Sequence, residues 1–188
     1  ADLQLLQILA DHCGDALRRI ETTKALQVAE AKYRGIVENA TEGIFQTTPE
    51  GTYLSANPAQ ARMLGYASAA ELLRRVTRID LQTYAVPAQR QELRRLLETE
   101  GHVRGFEVER VRKDGRKIWT SINGHVVRDG NGKVLYYECT SQDITQRKLA
   151  ERELRRLSHL IIEAQEVERQ RVARELHDGV NQLIASAK

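Results

Sequence analysis

The sequence has little cysteine, and its two cysteines are poorly placed for metal binding. Cys13 and Cys139 are far apart in a chain of 188 residues. An iron–sulfur cluster usually takes four thiolates, and neither cysteine has the spacing of a metal-ligand motif. The five histidines form no ligand pattern. The sequence therefore predicts no metal site and favours the cytoplasm, where thiols stay reduced.

Aromatic residues and long apolar runs are also scarce. Aromatic residues make up 5% and charged residues 29%, which indicates a polar, helix-rich chain with a modest core. No run of about 18 apolar residues occurs, so the sequence predicts no membrane span. The net charge of +3 is too small to indicate direct binding of nucleic acid. Six locally concentrated arginines alternate with glutamates, as on a solvated helix surface: Arg74, Arg75, Arg78, Arg90, Arg94 and Arg95.

The chain lacks an initiator methionine, and both ends fall inside helical patterns. We therefore expect a fragment of a larger protein. Apolar residues spaced 4, 3, 4 and 3 form a heptad seam: Leu6, Ala10, Cys13, Leu17 and Ile20. This helix, extending to about residue 32, is either a dimeric coiled coil or the exit helix of an upstream domain. Residues 5–17 resemble the last helix of a GAF domain.

Short strands and helices separated by glycine and proline occupy residues 33–145. Strands are predicted at residues 43–48 and 52–56, joined by the Pro49-Glu50-Gly51 turn. Three helices follow, at residues 59–64, 69–74 and 87–99. Alternating patterns then predict a meander of three strands, at residues 106–111, 117–127 and 134–141, with a bulge at Gly124. This order is typical of an α+β domain, one antiparallel sheet with helices on one face.

This order and six short motifs resemble the PAS sensor domain: Gly43-Ile44, Gly51, Asn57-Pro58, Gly65-Tyr66, Lys113-Asp114-Gly115 and Asp143-Ile144-Thr145. The resemblance spans residues 33–145 and implies a five-stranded antiparallel sheet with helices packed over one side. It also implies that Asp143, Ile144 and Thr145 couple the last strand to the outgoing helix.

PAS relatives hold haem, flavin, small acids or nothing, so the ligand of this domain stays open. Residues 59–99 contain no cysteine or histidine, which argues against a flavin–cysteine adduct or a haem ligand there. The remaining ligand-binding candidates are His125 and Cys139 on strands, with Trp119 and Tyr137 as rings for stacking on a flavin.

The outgoing helix is predicted from about Gln146. Its apolar residues again step 4, 3, 4 and 3, at Ala150, Leu154, Leu157, Ile161 and Ala164. Glu168 breaks that register before the stripe resumes at Val172. Such a slip marks either two alternative helix packings or a change from a two-stranded coil to a four-helix bundle.

The last part of this helix carries a histidine beside a carboxylate. Val172, Leu176 and Val180 form an apolar stripe, and His177 lies at its edge. Asp178 follows, and Gln182 lies one turn beyond it on the same face. Imidazole titrates near neutrality and is nucleophilic, and a carboxylate can hold one ring N–H. These residues therefore offer a nucleophile, a base and a polar positioning group.

The segment Glu168-x-x-Arg171-x-Val-Ala-Arg-Glu-Leu-His177-Asp178-x-x-x-Gln182 resembles the H-box of sensor histidine kinases in the His-Asp-x-x-x-Gln subfamily. The resemblance implies that His177 accepts the γ-phosphoryl group of ATP, Asp178 is the base, and Gln182 positions water for the phosphatase reaction. It implies a response regulator of the LuxR/NarL type as partner. No loop here supplies an ATP and Mg²⁺ site, so we expect this fragment to be inactive without the catalytic domain of the same protein.

The sequence thus predicts four segments: a helical linker at residues 1–32, the PAS domain at 33–145, a coiled-coil signalling helix at 146–166, and the start of the phosphoacceptor helix at 167–188. We expect a parallel homodimer formed through both flanking helices. Two alternatives are a non-enzymatic PAS dimerisation module and the input domain of a cyclic-dinucleotide synthase. The H-box favours the kinase over both.

Overall fold

A computed structural model describes residue 21 and residues 23–186, with side chains described as far as Val172. The chain divides into two compact units, one ending at Asp143 and the other starting at Ile144. The N-terminal heptad seam and the GAF-like segment lie outside the described residues. The possible helix-to-helix pairing of that seam therefore stays a prediction.

The first unit contains five helices and five strands within the described part of the chain. The helices are α1 (residues 23–39), α2 (Pro58–Met63), α3 (Ala69–Arg75), α4 (Ile79–Gln82) and α5 (Pro87–Glu100). The strands are β1 (Gly43–Thr47), β2 (Tyr53–Ala56), β3 (His102–Val111), β4 (Lys117–Arg128) and β5 (Val134–Asp143).

The five strands form one antiparallel sheet in the order β2-β1-β5-β4-β3. The first hairpin therefore joins the meander through β1 and β5, which confirms the predicted five-stranded sheet. Along β1 the side chains alternate between buried and half-buried. The buried set includes Phe45 and Thr47 and faces the core that the sheet forms with α2–α5.

Local sequence explains where the short helices begin and end. Asn57 caps α2, accepting from the Gln60 backbone N–H at 2.9 Å, and Pro58 occupies the first turn, where no donor is needed. Ser68 caps α3 in the same way. Helix α5 ends at Gly101, whose φ of 80° is in the left-handed region that favours glycine.

A register irregularity is present next to Gly124, where the β3–β4 pairing passes from Val103–Gly124 to Phe106–Ile122. The extra residue is on β3 rather than on β4, at a point where Gly105 has a φ of 63°. Gly124 is instead a site of close packing in a regular part of the β4–β5 pair. A Cβ atom there would lie 2.7 Å from the sulfur of Cys139.

The second unit contains α6 (Thr145–Ser186), a continuous helix of 42 residues. The predicted register break at Glu168 therefore does not interrupt the helix. Leu154, Leu157 and Ile161 are 44–65% exposed along it. Within residues 23–186, no helix is both long enough and apolar enough to cross a membrane.

Candidate functional site

The H-box residues lie on α6, as the sequence predicts for a helical segment. His177, Asp178 and Gln182 fall inside Thr145–Ser186, so Gln182 is one helical turn beyond Asp178. Their side chains lie outside the described part of the structure. One turn or more before them, the Arg171 guanidinium pairs with the Glu168 carboxylate at 2.6 Å. Their proposed chemistry therefore rests on the motif and its helical placement.

The predicted coupling residues stand where β5 ends and α6 begins. Strand β5 ends at Asp143 and α6 begins at Thr145, which leaves Ile144 as the one connecting residue. The Ile144 carbonyl accepts from the Lys148 backbone N–H at 2.9 Å, so it closes the first turn of the helix. The helical hydrogen bonds thus start directly after the strand.

The sequence-predicted ligand candidates divide between the two faces of the sheet. Cys139 and Tyr137 are buried on the inner face. His125 pairs with Glu138 of the neighbouring strand and lies on the outer face of the sheet. Its side chain is 57% exposed. Trp119 lies between the buried residues Ile118 and Thr120 of β4 and likewise points to the outer face. Of the four candidates, only Cys139 and Tyr137 contribute side chains to the interior.

Polar side chains cross the outer face of the sheet in one row, with one residue from each strand in direct register: Ser55, Gln46, Glu138, His125 and His102. Three contacts link the first four. Ser55 Oγ donates to Gln46 Oε1 at 3.0 Å, Gln46 Nε2 donates to Glu138 Oε1 at 2.8 Å, and His125 Nε2 lies 3.0 Å from Glu138 Oε2.

This row lines a cleft of about 630 Å³ that is bounded on one side by Tyr33 and Val37 of α1. The carboxylate of Glu138 already has a partner on each side. In the described part of the chain, no group of three or more histidine, cysteine, aspartate or glutamate side chains is arranged to hold a metal ion. The contacts of the polar row join β2, β1, β5 and β4 on the outer face of the sheet.

The interior of the PAS unit contains Arg110, which is 1% exposed. Its Nε donates to the Thr83 carbonyl at 2.8 Å, and its Nη2 donates to Thr83 Oγ1 at 2.9 Å and to Tyr53 Oη at 3.1 Å. The guanidinium carbon lies 4.5 Å from the centroid of the Tyr84 ring. Tyr53 and Arg110 belong to β2 and β3, the two outermost strands. The Arg110 side chain therefore crosses the interior.

A second buried arginine, Arg90 of α5, is 6% exposed. Its Nη2 donates to Thr47 Oγ1 at 3.3 Å, and its guanidinium carbon lies 5.3 Å from the centroid of the Tyr137 ring. Thr47 pairs in the sheet with Tyr53 on one side and Tyr137 on the other. The two guanidinium groups therefore bind neighbouring positions of a single inner row.

Neither buried guanidinium has a carboxylate partner among the described residues: their partners are hydroxyl groups, one carbonyl and aromatic rings. Burial lowers the pKa of Arg110, but the phenol oxygens of Tyr53 and Tyr84 outweigh it, and the net pKa is raised. The group therefore stays charged. A buried charge that has lost its partner typically destabilises a protein by about 3–5 kcal/mol.

Burial also controls two more titratable groups of the interior, Cys139 and Tyr137. It raises the pKa of the Cys139 thiol to about 12, although Arg90 and Arg110 act in the opposite direction. Burial and a hydrogen bond to Glu98 raise the pKa of Tyr137 to about 12. Both groups are therefore neutral at physiological pH, and the only charges among these interior groups are positive.

Neither interior arginine was predicted to be buried. Arg90 was predicted to lie on a solvated helix surface, and that prediction is wrong because Arg90 is buried. A signal existed: Arg90, Leu93 and Leu97 follow at spacings of three and four, which places them on one face of α5. Arg110 similarly lies on the buried face of β3, because it follows the buried Val108 by two residues.

Comparison with known proteins identifies the fold. The chain belongs to the PAS fold family, whose model matches residues 31–144. It is 27% identical to the sensor histidine kinase TmoS of Ectopseudomonas mendocina over 143 residues, which is 74% of this chain and 14% of that protein. It is also 27% identical to a methyl sulfide methyltransferase-associated sensor of Methanosarcina acetivorans, over 80% of this chain and 15% of that protein.

A solved structure of a sensory box histidine kinase/response regulator from Burkholderia thailandensis superposes with a TM-score of 0.54 at 20% identity, and the match covers 69% of this chain and 97% of that one. At that identity the likeness shows the fold alone. The chain spans about one seventh of the length of the two curated relatives.

Proposed function

We propose that this chain is the signal-input and transmission segment of a cytoplasmic sensor histidine kinase, in which the PAS domain controls phosphorylation of His177. The observation that carries the proposal is the H-box on α6, the helix that follows the last PAS strand after a single residue. A relative that shares the PAS region is named a sensor histidine kinase, which supports the same assignment.

The proposed chemistry is phosphoryl transfer to an imidazole. A ring nitrogen of His177 attacks the γ-phosphorus of ATP, the bond from phosphorus to the β–γ bridging oxygen breaks, and ADP leaves. Asp178 accepts a hydrogen bond from the other ring N–H and, as the base, takes the proton that the ring loses when its attacking nitrogen is phosphorylated. Gln182 positions water for the phosphatase reaction. ATP and Mg²⁺ are held by the catalytic domain of the full-length protein rather than by this segment.

The proposed assembly is a parallel homodimer that passes its phosphoryl group to a response regulator of the LuxR/NarL type. The exposed leucine and isoleucine side chains of α6 support dimerisation, because a stripe at heptad spacing is buried when two such helices pair. Asp143, Ile144 and Thr145 transmit the state of the PAS domain to α6. DNA binding is assigned to the response regulator, not to this chain.

The decisive experiment compares two histidines of α6 in the full-length protein. His177→Gln should abolish acid-labile phosphate after incubation with Mg²⁺ and ATP, because the phosphoacceptor nitrogen is gone. His159→Gln is the matched control, since His159 is exposed on the same helix, and should retain normal labelling. Phosphate that survives in His177→Gln would refute the proposal and favour a PAS dimerisation module or a different output enzyme.

A further inference from the structure

A chain of buried hydrogen bonds connects the outermost strand β3 to the central strand β5. Arg110 Nη2 donates to Tyr53 Oη at 3.1 Å, and Gln60 Nε2 donates to the same oxygen at 3.1 Å. Gln60 Oε1 in turn accepts from Ser141 Oγ on β5. Each of these four residues is at most 4% exposed, so water does not replace their contacts. The amide of Gln60 therefore joins the arginine end of the chain to β5.

Ser141 depends on this amide for its side-chain hydrogen bond. Among the described residues, the other partner of Ser141 Oγ is the sulfur of Met63, at 3.7 Å. A thioether is a weak acceptor. A buried hydroxyl that loses its good partner costs the folded protein the desolvation of that group, and members of a buried polar network act together. A shift of Gln60 is therefore unfavourable unless Ser141 follows it.

The packing around this contact is close because Gly43 has no side chain. Gly43 pairs with Ser141 in the β1–β5 register. A Cβ atom at residue 43 would clash with Gln60 Oε1 and would lie 2.6 Å from Ser141 Oγ. The backbone N–H of Gln60 is fixed as well, because it donates to the Asn57 cap at 2.9 Å. Gln60 is therefore held at both its backbone and its side chain.

The position of Ser141 connects this chain of hydrogen bonds to the output helix. Ser141 lies two residues before the end of β5, and the residue after that end, Ile144, closes the first turn of α6. We propose that Gln60 is a positioning residue: its amide holds the end of β5 to the interior, so that a rearrangement at Arg110 or Tyr53 reaches the start of α6. As an account of signalling this inference rests on the proposed kinase function, whereas the hold of Gln60 on β5 does not.

Two substitutions at residue 60 separate hydrogen bonding from packing. Gln60→Met keeps nearly the same length and volume but removes both hydrogen bonds. Gln60→Glu keeps both, because a carboxylate accepts from the hydroxyls of Ser141 and Tyr53, and the guanidinium bound to Tyr53 favours its negative charge. Gln46→Leu is the matched control, since Gln46 also bonds to β5, through Glu138 at 2.8 Å, but on the outer face of the sheet.

The first measurement is hydrogen–deuterium exchange of the backbone amides of residues 140–145 in the 188-residue chain. Gln60→Met should speed this exchange by about tenfold or more, because the loss of a buried hydrogen bond favours local opening. Gln60→Glu and Gln46→Leu should leave it unchanged. Ser141→Ala, which removes only the hydroxyl, should match Gln60→Met and decides the test if a residue-60 variant does not fold.

Three results of the exchange measurement would overturn the proposal. The first is an unchanged rate in Gln60→Met or Ser141→Ala. The second is an equal rise in Gln60→Glu or Gln46→Leu, because the effect would then not depend on the hydrogen bonds of the residue-60 side chain. The third is a rise of the same size throughout β3, which would show general destabilisation rather than a local hold on β5.

The second measurement is autophosphorylation of the full-length protein. Gln60→Met and Ser141→Ala should change the rate of labelling at His177 in the same direction by about fivefold or more, at unchanged KM for ATP, as expected for coupling between distant sites. Gln60→Glu and Gln46→Leu should leave that rate unchanged. If the unsubstituted protein is not labelled at His177, the proposed kinase function fails and the exchange result still stands. Normal labelling of Gln60→Met and Ser141→Ala would instead refute the role of Gln60 in signalling.

Discussion

Single buried side chains determine the chemical character of the PAS interior. Cys139 is 5% exposed, and burial raises the pKa of its thiol to about 12. The thiolate is the reactive and metal-binding form of cysteine. At neutral pH the Cys139 thiol is therefore in its protonated, less nucleophilic form. The interior is instead organised by its two guanidinium groups, which hydrogen-bond to hydroxyl groups and stack on tyrosine rings.

The Cys139 thiol should therefore be protected from thiol reagents. In a Cys13→Ser chain at pH 8, a disulfide reagent such as DTNB should modify the folded protein far more slowly than the protein in urea. A folded chain that reacts at the unfolded rate would contradict the observed burial. The cause is twofold: the sulfur is inaccessible, and less of it is thiolate than in the unfolded chain.

The same pKa predicts how stability depends on alkaline pH. An unfolded thiol titrates near about 8.5, whereas the folded thiol holds its proton to about 12. The free energy of unfolding that the protonated Cys139 thiol contributes is therefore fully present below about pH 8.5. It is lost as the pH rises toward 12. Urea unfolding at a series of pH values should show this decline, and a Cys139→Ala variant should show a shallower one.

At the scale of elements, Asn57 ties three parts of the chain together. Its Oδ1 accepts from the backbone N–H groups of Gln60 and Ile44, and its Nδ2 donates to the carbonyls of Val37 and Glu42. These contacts join α1, the start of β1 and the start of α2. The Asn57 side chain is also buried. Water therefore cannot take its place as the hydrogen-bond partner of these backbone groups.

Asn57→Ala should consequently cost about 2–4 kcal/mol of unfolding free energy, because it removes a helix cap and leaves buried backbone groups unsatisfied. Ser68→Ala is the matched control: it removes only the exposed cap of α3 and should cost about 1 kcal/mol. Urea unfolding with an unchanged m-value measures both. Equal losses in the two variants would show that the buried contacts of Asn57 contribute nothing beyond capping.

The elements themselves were largely predictable because glycine and proline mark their ends. Proline at the start of α5 and Gly101 after it fix that helix to within one residue of the prediction. Helix α4 was missed because four residues carry no helical period. Strand β3 starts at His102, four residues before its predicted start, because the irregularity at Gly105 interrupts the alternation.

The interior chemistry was less predictable, because it depends on contacts between distant residues. An arginine in a charged helix is usually exposed, so the local sequence around Arg90 favours the surface assignment that is wrong. Arg110 meets Tyr53 across 57 positions of the sequence. That contact forms only because the folded sheet brings β2 and β3 to the same interior. No local sequence pattern encodes it.

At the scale of the whole molecule, the proposed signalling depends on the length of α6. His177 lies 32 residues beyond Thr145, which corresponds to about 48 Å of helix at about 1.5 Å per residue. If His177 is the phosphoacceptor, a change at the start of a helix this long would reach it as a rotation, a tilt or a shift of register. Each of these alters which residues of the exposed stripe face a second helix.

Insertions of one to seven residues after Arg147 in the full-length protein should therefore change kinase output with heptad periodicity. Seven residues restore the stripe to its original face, whereas two or five rotate it by roughly half a turn. Autophosphorylation of each variant provides the measurement, and the seven-residue insertion is the internal control. Output that does not depend on insertion length would rule out transmission through the helix.

The fit between Gly124 and Cys139 has a consequence for how sequences with this fold diverge. Any side chain at residue 124 would meet the Cys139 sulfur at 2.7 Å and the Glu138 carbonyl at 3.1 Å. The two positions therefore constrain each other, and a larger residue at one is tolerated only when the other is reduced. Among descendants of a common ancestor, these sites should be inherited as a pair, so that the residue at one predicts the size of the residue at the other.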